Sequence, residues 1–94
     1  MDSNKLFNLK NKTIVLTGSA GRLGTRFAHV LSKSGANVVL IDIEQSANKK
    51  LERELILQYK TKPTSFCVDI SDQNKVKQLI KKIMLKYSKI DVLI

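Results

Sequence analysis

The 94 residues include one cysteine, one proline and no tryptophan, and only 5% are aromatic. A lone Cys67 rules out an internal disulfide and a zinc site built on several cysteines. Sparse aromatics leave no platform on which nucleic-acid bases could stack. No apolar run approaches the ~20 residues that cross a bilayer as a helix, so no membrane partner is expected. From Met1 to Lys12 only Leu6, Phe7 and Leu9 interrupt a polar stretch, which lacks the continuous apolar core of a secretory signal. These absences together point to a cytoplasmic protein.

Acids are also few. Eight Asp and Glu face seventeen Lys and Arg, for a net charge of +9. Fourteen of the basic residues are lysines, many on what read as solvated helix faces. A positive field of this kind draws anions without reading a sequence, so no specific nucleic-acid partner is expected. Hydrophobic residues make up 43%, which fits a folded chain of one small domain.

Three of the four glycines fall in one turn. Thr13-Ile14-Val15-Leu16-Thr17 is a continuous run rich in β-branched side chains, of the kind that forms a strand buried on both faces. Gly18, Gly21 and Gly24 follow, and from Arg22 the apolar period becomes helical. Leu23, Phe27, Val30 and Leu31 share one face, and Arg22, Arg26, His29 and Lys33 another. Gly35 suits the left-handed residue that ends a helix. Asn37 to Ile41 is a second strand, closed by Asp42. Gln45 to about Tyr59 reads as a helix with Leu51 and Leu55 buried, stopped before Pro63. Ser65 to Val68 is a third strand ending at Asp69. Ser71 or Asp72 caps a last helix whose buried stripe is Val76, Leu79, Ile80, Ile83, Met84 and Tyr87. Ile90 to Ile94 is a fourth strand.

The order is β-α-β-α-β-α-β. Right-handed crossovers place the first three strands as 3-2-1, with the fourth beyond strand 1. A chain that closes inside a buried type of strand leaves an apolar edge unpaired. The expectation is therefore an N-terminal fragment of a longer protein, or a truncated reading frame. The fold class is α/β, a Rossmann-like parallel sheet incomplete at its C-terminus.

A helix N-terminus presents unpaired N–H groups and a partial positive charge, which suit a pyrophosphate. Glycines without side chains let the backbone approach it. Eighteen residues after Gly24, Asp42 ends the second strand, where a carboxylate accepts hydrogen bonds from the ribose hydroxyls of an adenosine. A 2′-phosphate would meet like charge at Asp42, which favours NAD over NADP. Arg22 beside the turn argues the other way and keeps NADP open. Cys67, inside a strand, reads as a small buried hydrophobe, and His29 as an exposed residue. No His, Cys and carboxylate cluster has metal-ligand spacing.

With these residues in place, the chain from about Leu9 to Ile94 resembles the short-chain dehydrogenase/reductase family. The cofactor loop of its single-domain subgroup reads Thr-Gly-x-x-x-Gly-x-Gly; Thr17, Gly18 and Gly24 match, while Arg22 takes the middle glycine's place. Gly21 instead fits Thr-Gly-x-x-Gly-x-x-Gly, the spelling of the extended subgroup of nucleotide-sugar epimerases and dehydratases. Asp69-Ile70-Ser71-Asp72 and the segment Lys86 to Ile94 look like the single-domain subgroup. There the acid matching Asp69 bonds the adenine amino group, with Ile70 contributing backbone beside the ring.

The resemblance implies cofactor-binding positions at Gly18, Ala20, Gly21, Arg22, Leu23 and Gly24 in the turn, Asp42 and Ile43 after the second strand, and Asp69 and Ile70 after the third. The family's catalytic tyrosine and the lysine four residues beyond it have no match, since neither Tyr59 nor Tyr87 is followed by lysine at that spacing. Residues 1–94 are thus expected to be the N-terminal part of one NAD(P)-binding domain. Its catalytic half, small-molecule substrate and any homo-oligomer would belong to the full-length parent. Two alternatives stand beside an oxidoreductase acting on a carbonyl or alcohol: an extended-subgroup epimerase or dehydratase, and a truncated nucleotide-binding module without catalysis.

Overall fold

The computed structural model describes residues 8–94; residues 1–7, most of the polar N-terminal stretch, lie outside the described residues. The elements are β1 (Thr13–Thr17), α1 (Arg22–Lys33), β2 (Asn37–Asp42), α2 (Gln45–Tyr59), β3 (Thr64–Cys67), α3 (Gln73–Tyr87) and β4 (Val92–Leu93). They form a parallel sheet in the order β3-β2-β1-β4. β3 starts and stops one residue earlier than its sequence pattern suggests. The β4 ladder is short, but Thr17 N–H bonding to Ile94 O and Ile94 N–H bonding to Val15 O carry the pairing to the last residue.

Alternation along the strands divides the core into two layers. Ile14, Leu16, Val38 and Leu40 pack with Ala28, Leu51 and Leu55 beneath α1 and α2. Val15, Val39 and Ile41 point the other way and pack with Leu79 and Ile83 of α3. The handedness of the crossovers requires this. Two right-handed steps outward from β1 place α1 and α2 on one face, and the step back from β3 to β4 places α3 on the other.

Local chemistry fixes the ends. Gly35 adopts φ +98° just after α1, the left-handed conformation expected of it. Asp72 caps α3 by accepting from the N–H groups of Asn74 and Lys75. Asp91 accepts from Thr13 N–H at 2.8 Å and pins the entry of β4 to β1. That bond, chiefly, holds its carboxyl below the usual range, with Lys89 helping.

Four sequence expectations are corrected. Most of the apolar stripe of α1 does not face the core: Leu23 and Val30 are 65% and 62% exposed and Phe27 is 44% exposed, while Leu31 is partly buried and packs against it. Small Ala28 and Ser32 are buried instead and bring the helix close to the sheet. His29, expected to be exposed, is half-buried on the flank toward α2, its Nδ1 2.9 Å from the Tyr59 hydroxyl and its Nε2 3.7 Å from Glu54. Cys67 is exposed at the end of β3, which is an edge strand here. On α3, Leu79 and Ile83 are buried as expected, whereas Ile80 and Met84 remain 45% and 43% exposed at the rim of the stripe.

Tyr87 gives the fold a pH signature. Its hydroxyl donates to Lys62 O at 2.6 Å and lies 2.7 Å from Thr64 Oγ1. Partial burial pushes this phenol above its ordinary value, against the opposing hydrogen bond to Thr64. The unfolded chain ionises first, near pH ~10, so stability is full below that pH and falls as pH rises toward the folded value. Urea unfolding between about pH 8 and 11 should show this loss, and Tyr87→Phe should remove that part of the slope.

Candidate functional site

β1, β2 and β3 end together on one edge, and the glycine turn follows β1 at the point where the strand order reverses. Gly18 has φ +66°, a left-handed conformation that glycine adopts at no steric cost. It turns the chain back so that Gly21 N–H bonds to Gly18 O at 3.1 Å. Gly24 serves packing instead: a Cβ there would lie 2.1 Å from Gly18 O and 3.0 Å from Ser19 Cα. A side chain at Gly24 would therefore drive α1 off the turn.

The N-terminus of α1 is left open. Its N-cap, Gly21, offers no side-chain hydrogen bond, and the first turn carries no acid. Thr25 N–H bonds to Gly21 O, but Arg22, Leu23 and Gly24 donate no backbone hydrogen bond among the described residues. Three N–H groups without a backbone acceptor thus sit together at the positive end of the helix dipole.

Asp42 stands beside them. Its Oδ2 accepts from Ala20 N–H and its Oδ1 from Glu44 N–H, each at 2.9 Å. These bonds tie the end of β2 to the glycine turn and fix the carboxylate's orientation. Each oxygen keeps a lone pair for a further donor. Asp69, after β3, accepts from both the N–H and the hydroxyl of Ser71 through Oδ1. The Ser71 hydroxyl is the larger cause of a carboxyl held below its usual range.

A cavity of about 260 Å³ at this edge is lined by Thr17, Gly18, Asp42, Ile43, Asp69 and Ile70, among others. Five of the sequence-selected positions therefore converge on one space. Ile43 and Ile70, 65% and 57% exposed, give it apolar walls. Ala20 joins through its bond to Asp42, while Gly21, Arg22, Leu23 and Gly24 lie along the turn and the start of α1, outside that lining. Sequence reasoning missed Ser19 and Asn48, which lie buried behind the turn and are bonded to each other.

A concavity of about 470 Å³ at the opposite end of the sheet is lined by Lys10, Lys33, Lys60 and Lys62, among others. It sits where α1 and α2 end. Lysines there neutralise the negative ends of the helix dipoles, which makes this a poorer anion site than its charge suggests. Among the described residues, no helix is long and apolar enough to cross a membrane.

A parallel sheet with a glycine turn at its switch point, an open helix N-terminus and an acid closing the second strand define the dinucleotide-binding class of α/β folds. The chain belongs to the short chain dehydrogenase family, whose model matches residues 12–94. It is 38% identical over 94 residues to a short chain dehydrogenase/reductase of Gibberella zeae, covering 96% of this chain and 33% of that protein. It is 34% identical over 95 residues to an NAD-dependent glycerol dehydrogenase of Listeria innocua, covering 96% of this chain and 34% of the relative. A xylitol dehydrogenase solved with NAD⁺ bound has the same fold, with a TM-score of 0.86 at 24% identity, over 90% of this chain and 32% of that one. The chain thus spans about a third of the length of these relatives.

Proposed function

We propose that residues 1–94 are the N-terminal part of one NAD-binding domain, in a dehydrogenase that moves a hydride between nicotinamide and an alcohol or carbonyl substrate. The observation that carries this reading is Asp42, held by Ala20 N–H at the mouth of the glycine turn and beside the open end of α1. In this arrangement the N–H groups of Arg22, Leu23 and Gly24 receive the pyrophosphate. Asp42 takes the adenosine ribose hydroxyls. Asp69 offers its free Oδ2 to the adenine amino group, and Ile43 and Ile70 flank the ring. When bound, the cofactor supplies or accepts the hydride. The NAD-dependent relative supports NAD as the cofactor. Arg22, exposed at the first position of α1, is the one feature that favours NADP.

The residues that transfer the proton are not among these 94. The hydroxyls of Tyr59 and Tyr87 are engaged with His29 and with Lys62 and Thr64, away from the cavity, and serve packing. Calorimetric titration of the complete polypeptide should show NAD binding at least about tenfold tighter than NADP. Residues 1–94 expressed alone should oxidise no NADH with carbonyl substrates. Failure of the complete polypeptide to bind either dinucleotide would sink the proposal, and turnover by residues 1–94 would relocate the catalytic groups.

A further inference from the structure

Asn48 stands in the first half of α2 with its side chain turned to the sheet, only 1% exposed. A carboxamide buried in that way is tolerated when its donors and acceptor are all matched, and here they are. Nδ2 donates to Leu40 O at 3.0 Å and to Phe66 O at 3.4 Å, anchoring the amide on β2 and β3. Oδ1 accepts from the hydroxyl of Ser19 at 2.6 Å. The orientation is unambiguous, since a turned amide would set its oxygen against two carbonyl oxygens. The one bond that leaves the sheet therefore goes to the glycine turn.

Ser19 is fully buried and held from three sides. Its N–H bonds to Ile41 O at 3.2 Å, its carbonyl accepts from the Thr25 hydroxyl at 3.2 Å, and its hydroxyl binds Asn48. The next residue, Ala20, donates to Asp42. Two side chains, Asn48 and Asp42, thus set the path of the turn just before the open N–H groups of α1. An apolar residue at position 48 would leave the buried Ser19 hydroxyl without its partner. The pair adds a directional restraint on Ser19.

We propose that Asn48 is a positioning residue for the pyrophosphate subsite, acting through the Ser19 hydroxyl to fix the glycine turn without touching the ligand. The proposal rests on the dinucleotide reading of the site. It makes a distinction that a purely structural role does not. Disturbing the pair should weaken ligands that carry a pyrophosphate and spare those that reach only the Asp42 and Asp69 end.

The test compares NAD and adenosine binding to the complete polypeptide, as wild type, Ser19→Ala, Asn48→Ala and the double variant, well below each melting temperature. Ser19→Ala should lose about tenfold in NAD affinity, the cost of one buried hydrogen bond, and Asn48→Ala at least as much. Adenosine affinity should stay within about twofold in both. The double variant should bind NAD no more weakly than Asn48→Ala, because the two changes remove the same bond. Unchanged NAD affinity in Ser19→Ala, or parallel losses for both ligands, would overturn the proposal. If Asn48→Ala does not fold, Ser19→Ala decides alone, since it leaves both carbonyl bonds of Asn48 intact. A wild type that binds neither NAD nor adenosine would instead overturn the site reading, and this proposal with it.

Discussion

Gly24→Ala is expected to reduce NAD affinity of the complete polypeptide by about a hundredfold, equivalent to about 2.8 kcal/mol of lost binding energy. The reason is steric and local. The added Cβ would lie 2.1 Å from Gly18 O, with Gly18 C and Ser19 Cα each at 3.0 Å, and all three are backbone atoms. No rotamer change relieves such a contact. Either α1 slides away from β1 or the Gly18 peptide rotates, and both displace the N–H groups of Arg22, Leu23 and Gly24. Overpacking of this type also costs about 1–3 kcal/mol of stability, so the melting temperature should fall. Gly21→Ala is the comparison: its Cβ would meet Gly18 O at 3.3 Å, a far milder contact, so its loss should be the smaller of the two. Titration of both variants with NAD checks the contrast. Gly24→Ala binding within threefold of wild type would show that the turn yields without consequence.

Asp42→Ala should weaken NAD by about ten- to a hundredfold and bring NAD and NADP affinities to within a few-fold of each other. Two effects combine. The ribose loses a charged acceptor, and the N–H groups of Ala20 and Glu44 lose the carboxylate that fixes them at 2.9 Å. The repulsion of a 2′-phosphate disappears with the charge. Asp42→Asn separates these contributions. It removes the charge while retaining one carbonyl oxygen, so discrimination should collapse while NAD affinity falls less than in the alanine variant. An unchanged ratio of NAD to NADP affinity in either variant would remove Asp42 from the ribose site.

Much of the fold was legible because its signals are local. β1, the glycine turn, Gly35, Asp72 and the breaks between elements each depend on the φ preference, capping chemistry or apolar period of a few neighbouring residues. The strand order followed from the handedness of crossovers, which is the same in nearly every parallel sheet. Asp42 was legible as a candidate because it ends a strand on the edge where the turn must also lie, and Asp69 through the resemblance of its segment to the family's.

The misreadings share one cause: a pattern along a helix or strand does not say what stands across from it. Leu23, Phe27 and Val30 form a clear apolar face, yet small Ala28 and Ser32 take the sheet side because α1 packs closely there. Asn48 looks like one more polar residue of a solvated helix. Only the approach of Leu40 O, Phe66 O and the Ser19 hydroxyl gives it buried partners. Cys67 has the strand setting of a core residue and is exposed because β3 is at an edge.

The sequence by itself determined the class of protein, the order of its elements, and the turn and strand-end acids that gather at one edge of the sheet. Glycine geometry, capping and strand-end chemistry operate over a few residues and need no distant partner. The tertiary structure decided which helix faces are covered and how the carboxylate of Asp42 is oriented, and it showed that the turn is gripped from behind by Asn48. Those outcomes depend on atoms far apart in the chain, 22 residues for Ala20 and Asp42 and 29 for Ser19 and Asn48, brought within hydrogen-bonding distance only when the sheet forms.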